Sequence, residues 1–325
     1  MNPTIDDIRS AAGGLKGLSV RTPLLENPFV NDRIGGRLLV KAEPLQRTGS
    51  FKFRGAYNTI SSYARTGDLS AVVAYSSGNH AQGVAAAAAL LGVPAVIVMP
   101  ADAPGIKVEK TRAYGAEVVT YDRYTESRED IAAAIADERG ATLIKPYDDS
   151  RIISGQGTVG LEITDQAADQ GVEKIDAVLS PCGGGGLVSG IAIAVKAADA
   201  GTLVYSVEPA GFDDTARSLA GRQRVGVDPA ARSICDALLA PMPGEMTFAI
   251  NQELLEGGFS VTDDEAKDAM RLAFREFKLV VEPGGAVALA AVLTGKVDCR
   301  SKTVCVVCSG GNVDGDLYAD VLGGS

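Results

Sequence analysis

An alternation constrains this chain more than any other feature. Short β-branched runs recur: RLLVKAE (37–43), SAVVAYS (70–76), PAVIVMP (94–100), AEVVTYD (116–122), ATLIKPY (141–147), DAVLSPC (176–182), TLVYSVEP (202–209) and KTVCVVCSGG (302–311). Between them lie stretches with helical periodicity: AYNTISSYARTG, HAQGVAAAAALLG, GIKVEKTRAYG, SREDIAAAIADERG and LVSGIAIAVKAAD. Several end in glycine, a common helix stop. Strand–helix alternation predicts an α/β fold with a mainly parallel sheet covered on both faces. Residues 71–101 carry no Asp, Glu, Lys or Arg. That length would suit a membrane span, but Gly92-Val93-Pro94 interrupts it and SSGNHAQG is polar. The segment reads as a buried strand, a polar turn, an alanine-rich helix and a second strand.

The chain has 325 residues, enough for two domains or one large α/β unit. Its 31 basic and 41 acidic residues leave a net charge of −10 with no basic stripe, which argues against nucleic acid and anionic membranes as partners. Five irregularly spaced cysteines suit a reducing cytosol better than a disulfide scaffold. The opening MNPTIDDIRS lacks an apolar core, so it does not read as a signal peptide, and a cytoplasmic enzyme is expected.

Open parallel sheets bind ligands beyond the carboxyl ends of their strands. Four strand ends carry polar or glycine-rich turns: SSGNHAQG (76–83), PCGGGGLVSG (181–190), EPAGFDD (208–214) and CSGGNVDG (308–315). The glycines of PCGGGGL expose backbone N–H groups before an apolar helix, a geometry for a phosphate. No Gly-Lys-Ser/Thr follows, so it is not a P-loop, and a dinucleotide fingerprint fits it poorly. SSGNHAQG suits a carboxylate, or a helix cap with Ser or Asn at the N-cap. His80 is the only histidine, which removes zinc-protease motifs and leaves a Ser-His-Asp hydrolase without its nucleophile elbow. CVVC, Cys305 to Cys308, has no second pair and reads as buried thiols. Lys52, in TGSFKFRGA (48–56) where a strand-like segment ends, is flanked by Phe51 and Phe53. It is either a snorkelling surface lysine or a desolvated nucleophile. A nucleophilic lysine together with a phosphate cradle points to pyridoxal phosphate.

KAEPLQRTGSFKFRGA (41–56), SSGNHAQG, PCGGGGL, VEPGGA (281–286) and CSGGN (308–312) together resemble the fold-type II pyridoxal-phosphate enzymes of the threonine/serine dehydratase and serine racemase family. The motifs occur in the family's order across nearly the whole chain. The resemblance implies the two-domain, open parallel-sheet architecture of the tryptophan synthase beta-like enzymes. Residues 1–70 and 149–325 would form the large cofactor-binding domain, and 71–148 a small mobile one. It implies Lys52 as the Schiff-base lysine and general base, with Phe51 packed on the cofactor ring. Asn79 would bind the 3′-oxygen. Gly183, Gly184, Gly185 and Gly186, followed by Leu187, would hold the phosphate. Ser309 would face the pyridine nitrogen. A serine there leaves the ring neutral and a weaker electron sink, which suits β-elimination. Ser76, Asn79 and His80 would bind the substrate carboxylate.

The activity implied is an ammonia-lyase that eliminates water from L-threonine or L-serine to give a 2-oxo acid and ammonia. Two residues keep neighbouring activities open. Ser77 stands where serine racemase-like enzymes place an acid/base. Arg128, in ESRE, is either a reader of the second carboxylate of 3-hydroxyaspartate or a surface charge paired with Glu129 or Asp130. Glu208, the carbonyl of Phe212 and Asp214 resemble a structural cation site, whose oxygen donors suit Mg²⁺ or Ca²⁺. Ala237 replaces a glycine that some racemase-like relatives carry at the pocket wall, which bears on substrate identity. A homodimer is implied. The rival classes are a nucleotide-binding oxidoreductase with the tetraglycine turn on a pyrophosphate, and an inert amino-acid sensor.

Overall fold

The computed structural model describes every residue except Asp68, Ser77, Pro104, Arg123 and Ser325, together with the side chain of Ile106. Its ten strands form two sheets among the described residues. They are β1 (Leu24–Glu26), β2 (Arg37–Ala42), β3 (Val72–Tyr75), β4 (Ala95–Pro100), β5 (Glu117–Tyr121), β6 (Thr142–Leu143), β7 (Ala177–Pro181), β8 (Leu203–Pro209), β9 (Gly257–Val261) and β10 (Thr303–Cys308). The six-stranded sheet runs β1-β2-β10-β7-β8-β9 and the four-stranded one β5-β4-β3-β6. All pairings are parallel except β1 with β2. This is the α/β architecture the alternation predicts.

The central strand β10 shows why its sequence is a continuous apolar run. Val304, Val306 and Cys308 face one buried cluster, which includes the helix Pro283–Leu293. Cys305 and Val307 face another, formed with the helices Ser150–Asp169 and Gly186–Ala198. Successive side chains alternate between faces, and both faces are covered. Cys305 and Cys308 therefore lie on opposite faces of the sheet. Both are free and buried, and burial pushes both thiols up to about 12, so the CxxC spacing is structural. No helix among the described residues is long and apolar enough to cross a membrane.

Several elements differ from their expected form. Lys52 does not end a strand: β2 stops at Ala42, two short 3₁₀ turns intervene, and Lys52 opens the helix Lys52–Thr66. ATLIKPY supplies only two strand residues. The sequence reading missed β1, β9 and the 20-residue helix Ser150–Asp169. That helix contains Gly155, Gly157 and Gly160, which weaken any local helical signal. Tertiary packing explains them. A Cβ on Gly155 would lie 2.6 Å from the Arg54 carbonyl oxygen, and one on Gly157 2.9 Å from that of Gly190. Helices this close exclude side chains at the crossing.

A buried charge network joins that helix to the chain around β2. The Arg54 guanidinium donates to both oxygens of Glu43 at 2.9 and 2.8 Å and to Glu162 at 2.7 and 2.8 Å. Lys41 Nζ donates to Glu162 at 2.6 Å and to the Thr22 carbonyl at 2.6 Å. Arg54, Lys41 and Glu43 are fully buried. Two bases balance two acids, which is how charges survive in a core.

Candidate active site

One cavity lies at the carboxyl ends of β10, β7 and β3, and the predicted site residues Phe51, Lys52, Ser76, Asn79, His80, Gly183, Gly184, Gly185, Gly186, Leu187 and Ser309 all line it. Three of the four unusual turns thus converge. The fourth, EPAGFDD, stands behind the wall, where Thr215 Oγ1 lies 3.3 Å from Cys182 Sγ. Ser77 lies outside the described residues.

Lys52 is half-buried. Its Nζ donates to the Pro146 carbonyl at 2.7 Å and sits 5.2 Å from the centre of the Phe51 ring. Desolvation pulls the amine down from 10.5 to about 8. Of the two readings left open for this lysine, the geometry fits the desolvated amine. Gly83 lets the alanine-rich helix approach it: a Cβ there would lie 3.1 Å from the Lys52 carbonyl carbon.

The helix Asn79–Leu91 begins at Gly78 without a side-chain cap. The Ser76 hydroxyl accepts the Gly78 N–H at 3.1 Å instead of capping the helix. The first-turn N–H groups have no helical partners, and Gly78, Asn79 and His80 line the cleft. The expected Ser or Asn cap is absent here. The His80 ring is buried. Its Nε2 is 3.0 Å from the Ile144 carbonyl, and Nδ1 is buried without a partner. Burial, then the Lys52 charge, holds the imidazole down to about 3, so it stays neutral. Asn79 is clamped: its Nδ2 donates to Glu282 Oε1 at 2.5 Å, and its Oδ1 accepts from Asn312 at 2.8 Å. VEPGGA and CSGGN thus orient a residue more than 200 positions away in sequence.

The tetraglycine turn is a cradle a side chain would fill. Gly185 has φ +96° and starts the helix Gly186–Ala198 without a side-chain cap. A Cβ on Gly184 would collide with the Tyr147 ring, and one on Gly185 would lie 2.9 Å from Thr247. Thr247 Oγ1 donates to the Gly184 carbonyl at 2.7 Å, and its backbone N–H donates to Asp148 at 3.2 Å, fixing the turn. Ser309 is buried just past β10, and its carbonyl accepts the Phe51 N–H at 3.1 Å.

Arg128 has a place in the cavity wall and an acidic neighbour. It lines the cavity, lies 5.2 Å over the Tyr75 ring, and donates to Glu129 at 2.8 Å. Glu208, Asp214 and Phe212 are all buried. The Glu208 oxygens accept the N–H groups of Thr215 and Ala216 at 2.9 and 2.8 Å, whereas Asp214 Oδ2 has no partner. Burial, then the neighbouring Asp214, pushes Glu208 up to about 8, and burial pushes Asp214 up to about 7. Among the described residues no cluster of three His, Cys, Asp or Glu side chains could hold a metal, so any ion here would need carbonyl or water oxygens.

The sequence reading passed over Tyr147, Lys107 and Asp236, which all line the cavity. Tyr147 lay in a run read as strand. Lys107 has the look of any helical surface lysine, yet it is buried and paired to Asp236 at 2.5 Å. Nothing local marks that pairing, because the partners are 129 residues apart. Ala237, singled out as a wall residue, does line the cavity.

These features fit pyridoxal phosphate. A half-buried amine of lowered basicity stands in one cavity with a glycine cradle at an uncapped helix start, the arrangement an aldehyde bearing a phosphate requires. The relatives agree. The chain is 42% identical over 318 residues to an L-threo-3-hydroxyaspartate ammonia-lyase of Pseudomonas sp, covering 98% of each. It matches the crystal structure of a T.th. threonine deaminase with a TM-score of 0.90 and 44% identity, over 96% of this chain and 99% of that one. It matches maize serine racemase with a TM-score of 0.92 and 37% identity, over 98% and 97%. The sequence pattern described as "Pyridoxal-phosphate dependent enzyme" matches residues 16–310, and the chain belongs to that family.

Proposed function

We propose that the chain is an ammonia-lyase that eliminates water from a hydroxy amino acid. The observation that carries this reading is the Lys52 amine, lowered to about 8 and directed into the cleft by the Pro146 carbonyl. When bound, pyridoxal phosphate supplies the aldehyde that takes up an amino group and the ring that accepts electrons. In this reading Lys52 holds the cofactor and then removes the α-proton, because an amine near neutrality is a competent base at physiological pH. Phe51 packs beside it, Ser309 meets the ring nitrogen, and the turn at residues 183–186 takes the phosphate. Asn79, held by Glu282 and Asn312, meets the ring oxygen. The turn at Ser76 and His80 takes the α-carboxylate with backbone N–H groups. Among substrates, the cavity-lining Arg128 and the name of the Pseudomonas relative favour 3-hydroxyaspartate over the L-threonine or L-serine first expected. Release of 2-oxo acid from L-threonine, L-serine and L-threo-3-hydroxyaspartate is the test; no oxo acid from any of them removes the reading. We also propose that residues 71–148 close as a mobile unit over the cleft, and that the protein is a homodimer, which a monomeric mass in sedimentation would contradict.

Two expected results follow from the cleft. Capture of pyridoxal phosphate by the apoenzyme requires the neutral Lys52 amine. With a value near 8 the neutral fraction rises from about a tenth at pH 7 to about nine-tenths at pH 9. The stopped-flow capture rate should climb accordingly and then level. A rate still rising tenfold per unit above pH 9 would mean an ordinary, solvated lysine. Gly184→Ala should overpack the cradle against Tyr147. Cofactor affinity should fall at least about tenfold, for a strain of about 1–3 kcal/mol. Dialysis followed by absorbance would read this, and unchanged retention would place the phosphate elsewhere.

The buried, unpartnered Asp214 Oδ2, with Glu208 as its acidic neighbour, supports a structural Mg²⁺ or Ca²⁺ to which the Phe212 carbonyl would be a further ligand. Chelation should then lower the thermal midpoint and either ion should restore it. A midpoint indifferent to chelator would reject the metal.

A further inference from the structure

We propose that Lys107 and Asp236 form a second carboxylate subsite in the cleft, where the side-chain carboxylate of a dicarboxylic amino acid displaces Asp236 from Lys107. The inference deepens the ammonia-lyase reading and rests on it for the identity of the ligand. Lys107 lies on the helix Gly105–Ala113 and Asp236 on the short turn Asp236–Leu238. They meet at 2.5 Å between Nζ and Oδ2, and both line the cavity. The protein's own carboxylate thus occupies a carboxylate receptor inside the site.

The two partners are unequal. The Lys107 side chain is 6% exposed and that of Asp236 is 43% exposed. A buried ammonium that loses its hydrogen-bonded carboxylate is strongly disfavoured, whereas an acid at the cleft mouth can turn to water. Asp236 is therefore the exchangeable member, and whatever replaces it must carry a negative charge. The hydroxymethyl of serine or the hydroxyethyl of threonine leaves the pair closed. Glu282 and Asp314 also face Lys107. Glu282 is buried with Oε2 unpartnered. With three acids around one ammonium, a further carboxylate enters by exchange and not by addition. The receptor for the α-carboxylate adjoins it: a Cβ on Gly78, the residue that starts the uncapped Asn79 helix, would lie 3.6 Å from Lys107 Nζ. Two neighbouring carboxylate receptors suit a short diacid.

Succinate and butyrate, acids of equal carbon count, would be titrated calorimetrically into the holoenzyme and into Lys107→Met, Lys107→Arg, Asp236→Asn and Arg128→Met. The wild type should bind succinate at least tenfold tighter than butyrate. Lys107→Met should remove that preference and leave butyrate within about twofold. Lys107→Arg should keep most of it, and Asp236→Asn should tighten succinate alone. Several results would overturn the proposal: no preference in the wild type, equal weakening of both acids in Lys107→Met, or loss of the preference in Arg128→Met only. An unchanged succinate affinity in Asp236→Asn would do the same, since the pair would then be a strut. If Lys107→Met does not fold, the Lys107→Arg and Asp236→Asn results decide. Binding needs no turnover, so a failure here is separable from a failure to release oxo acid.

Discussion

Lys52→Ala should abolish turnover, by at least about a thousandfold, and should also remove the visible absorbance of bound cofactor. The two losses have one cause. The amine that would hold the aldehyde is the same amine that would take the α-proton, and among the described residues no second lysine lies over the Phe51 ring. Added methylamine should restore part of the cofactor chemistry without restoring the full rate, because a free amine lacks the alignment set by the Pro146 carbonyl and the start of the helix Lys52–Thr66. The protein should remain folded, since truncating Lys52 leaves the buried Phe53 and Arg54 in place. Retention of more than about a tenth of wild-type turnover would place the base elsewhere. The remaining cavity residues with suitable chemistry would then need the same scan.

The largest loss of stability should follow Arg54→Leu. Removing the guanidinium leaves Glu43 fully buried and Glu162 facing only Lys41, two acids with one base. Breaking a buried ion pair from one side typically costs about 3–5 kcal/mol, because the orphaned charge stays desolvated. The effect should depend on pH in a stated direction. Burial alone would raise the Glu43 carboxyl, but Arg54 opposes it and holds the group below the ordinary 4.5. A depressed acid contributes stability above its unfolded value and loses it as the pH falls through the folded one. In Arg54→Leu the burial effect acts unopposed, so Glu43 takes up a proton more readily. The gap between variant and wild type in urea unfolding should therefore be widest near pH 7 and shrink toward pH 4. A gap that grows on acidification, or one under about 1 kcal/mol at pH 7, would show that the network does not stabilise the fold. Arg54→Lys should recover only part of the loss, since one ammonium cannot match the fork that reaches both Glu43 and Glu162.

Both variants bear on how differently residues can be read from a sequence. Lys52 stood out beside Phe51, Phe53 and a Gly-Ser pair, because an aromatic flank is visible in adjacent residues. Arg54, two residues later, carried no such mark. Its partners Glu43 and Glu162 come from different elements, and only the packing of the helix Ser150–Asp169 brings them together.

The alternation of strand and helix, the parallel sheets, and the glycine and polar turns at the strand ends were all legible in the residues alone. Those features are encoded by near-neighbour physics: β-branched runs buried on both faces, glycines where a backbone must approach a ligand or turn left-handed, and helices stopped by glycine. Lys52 and the tetraglycine turn, which share one cavity, were legible too, because each is marked by adjacent residues. Three further matters were settled by packing. The glycine-bearing helix Ser150–Asp169 is held in a close crossing, against its own propensity. Asn79 is pinned between Glu282, at the start of the helix Pro283–Leu293, and Asn312, in the turn after β10. Lys107 is buried against Asp236 across the cleft. Each depends on contacts between groups far apart in the chain, where local periodicity holds no information and burial, set by the whole fold, fixes which charges must meet.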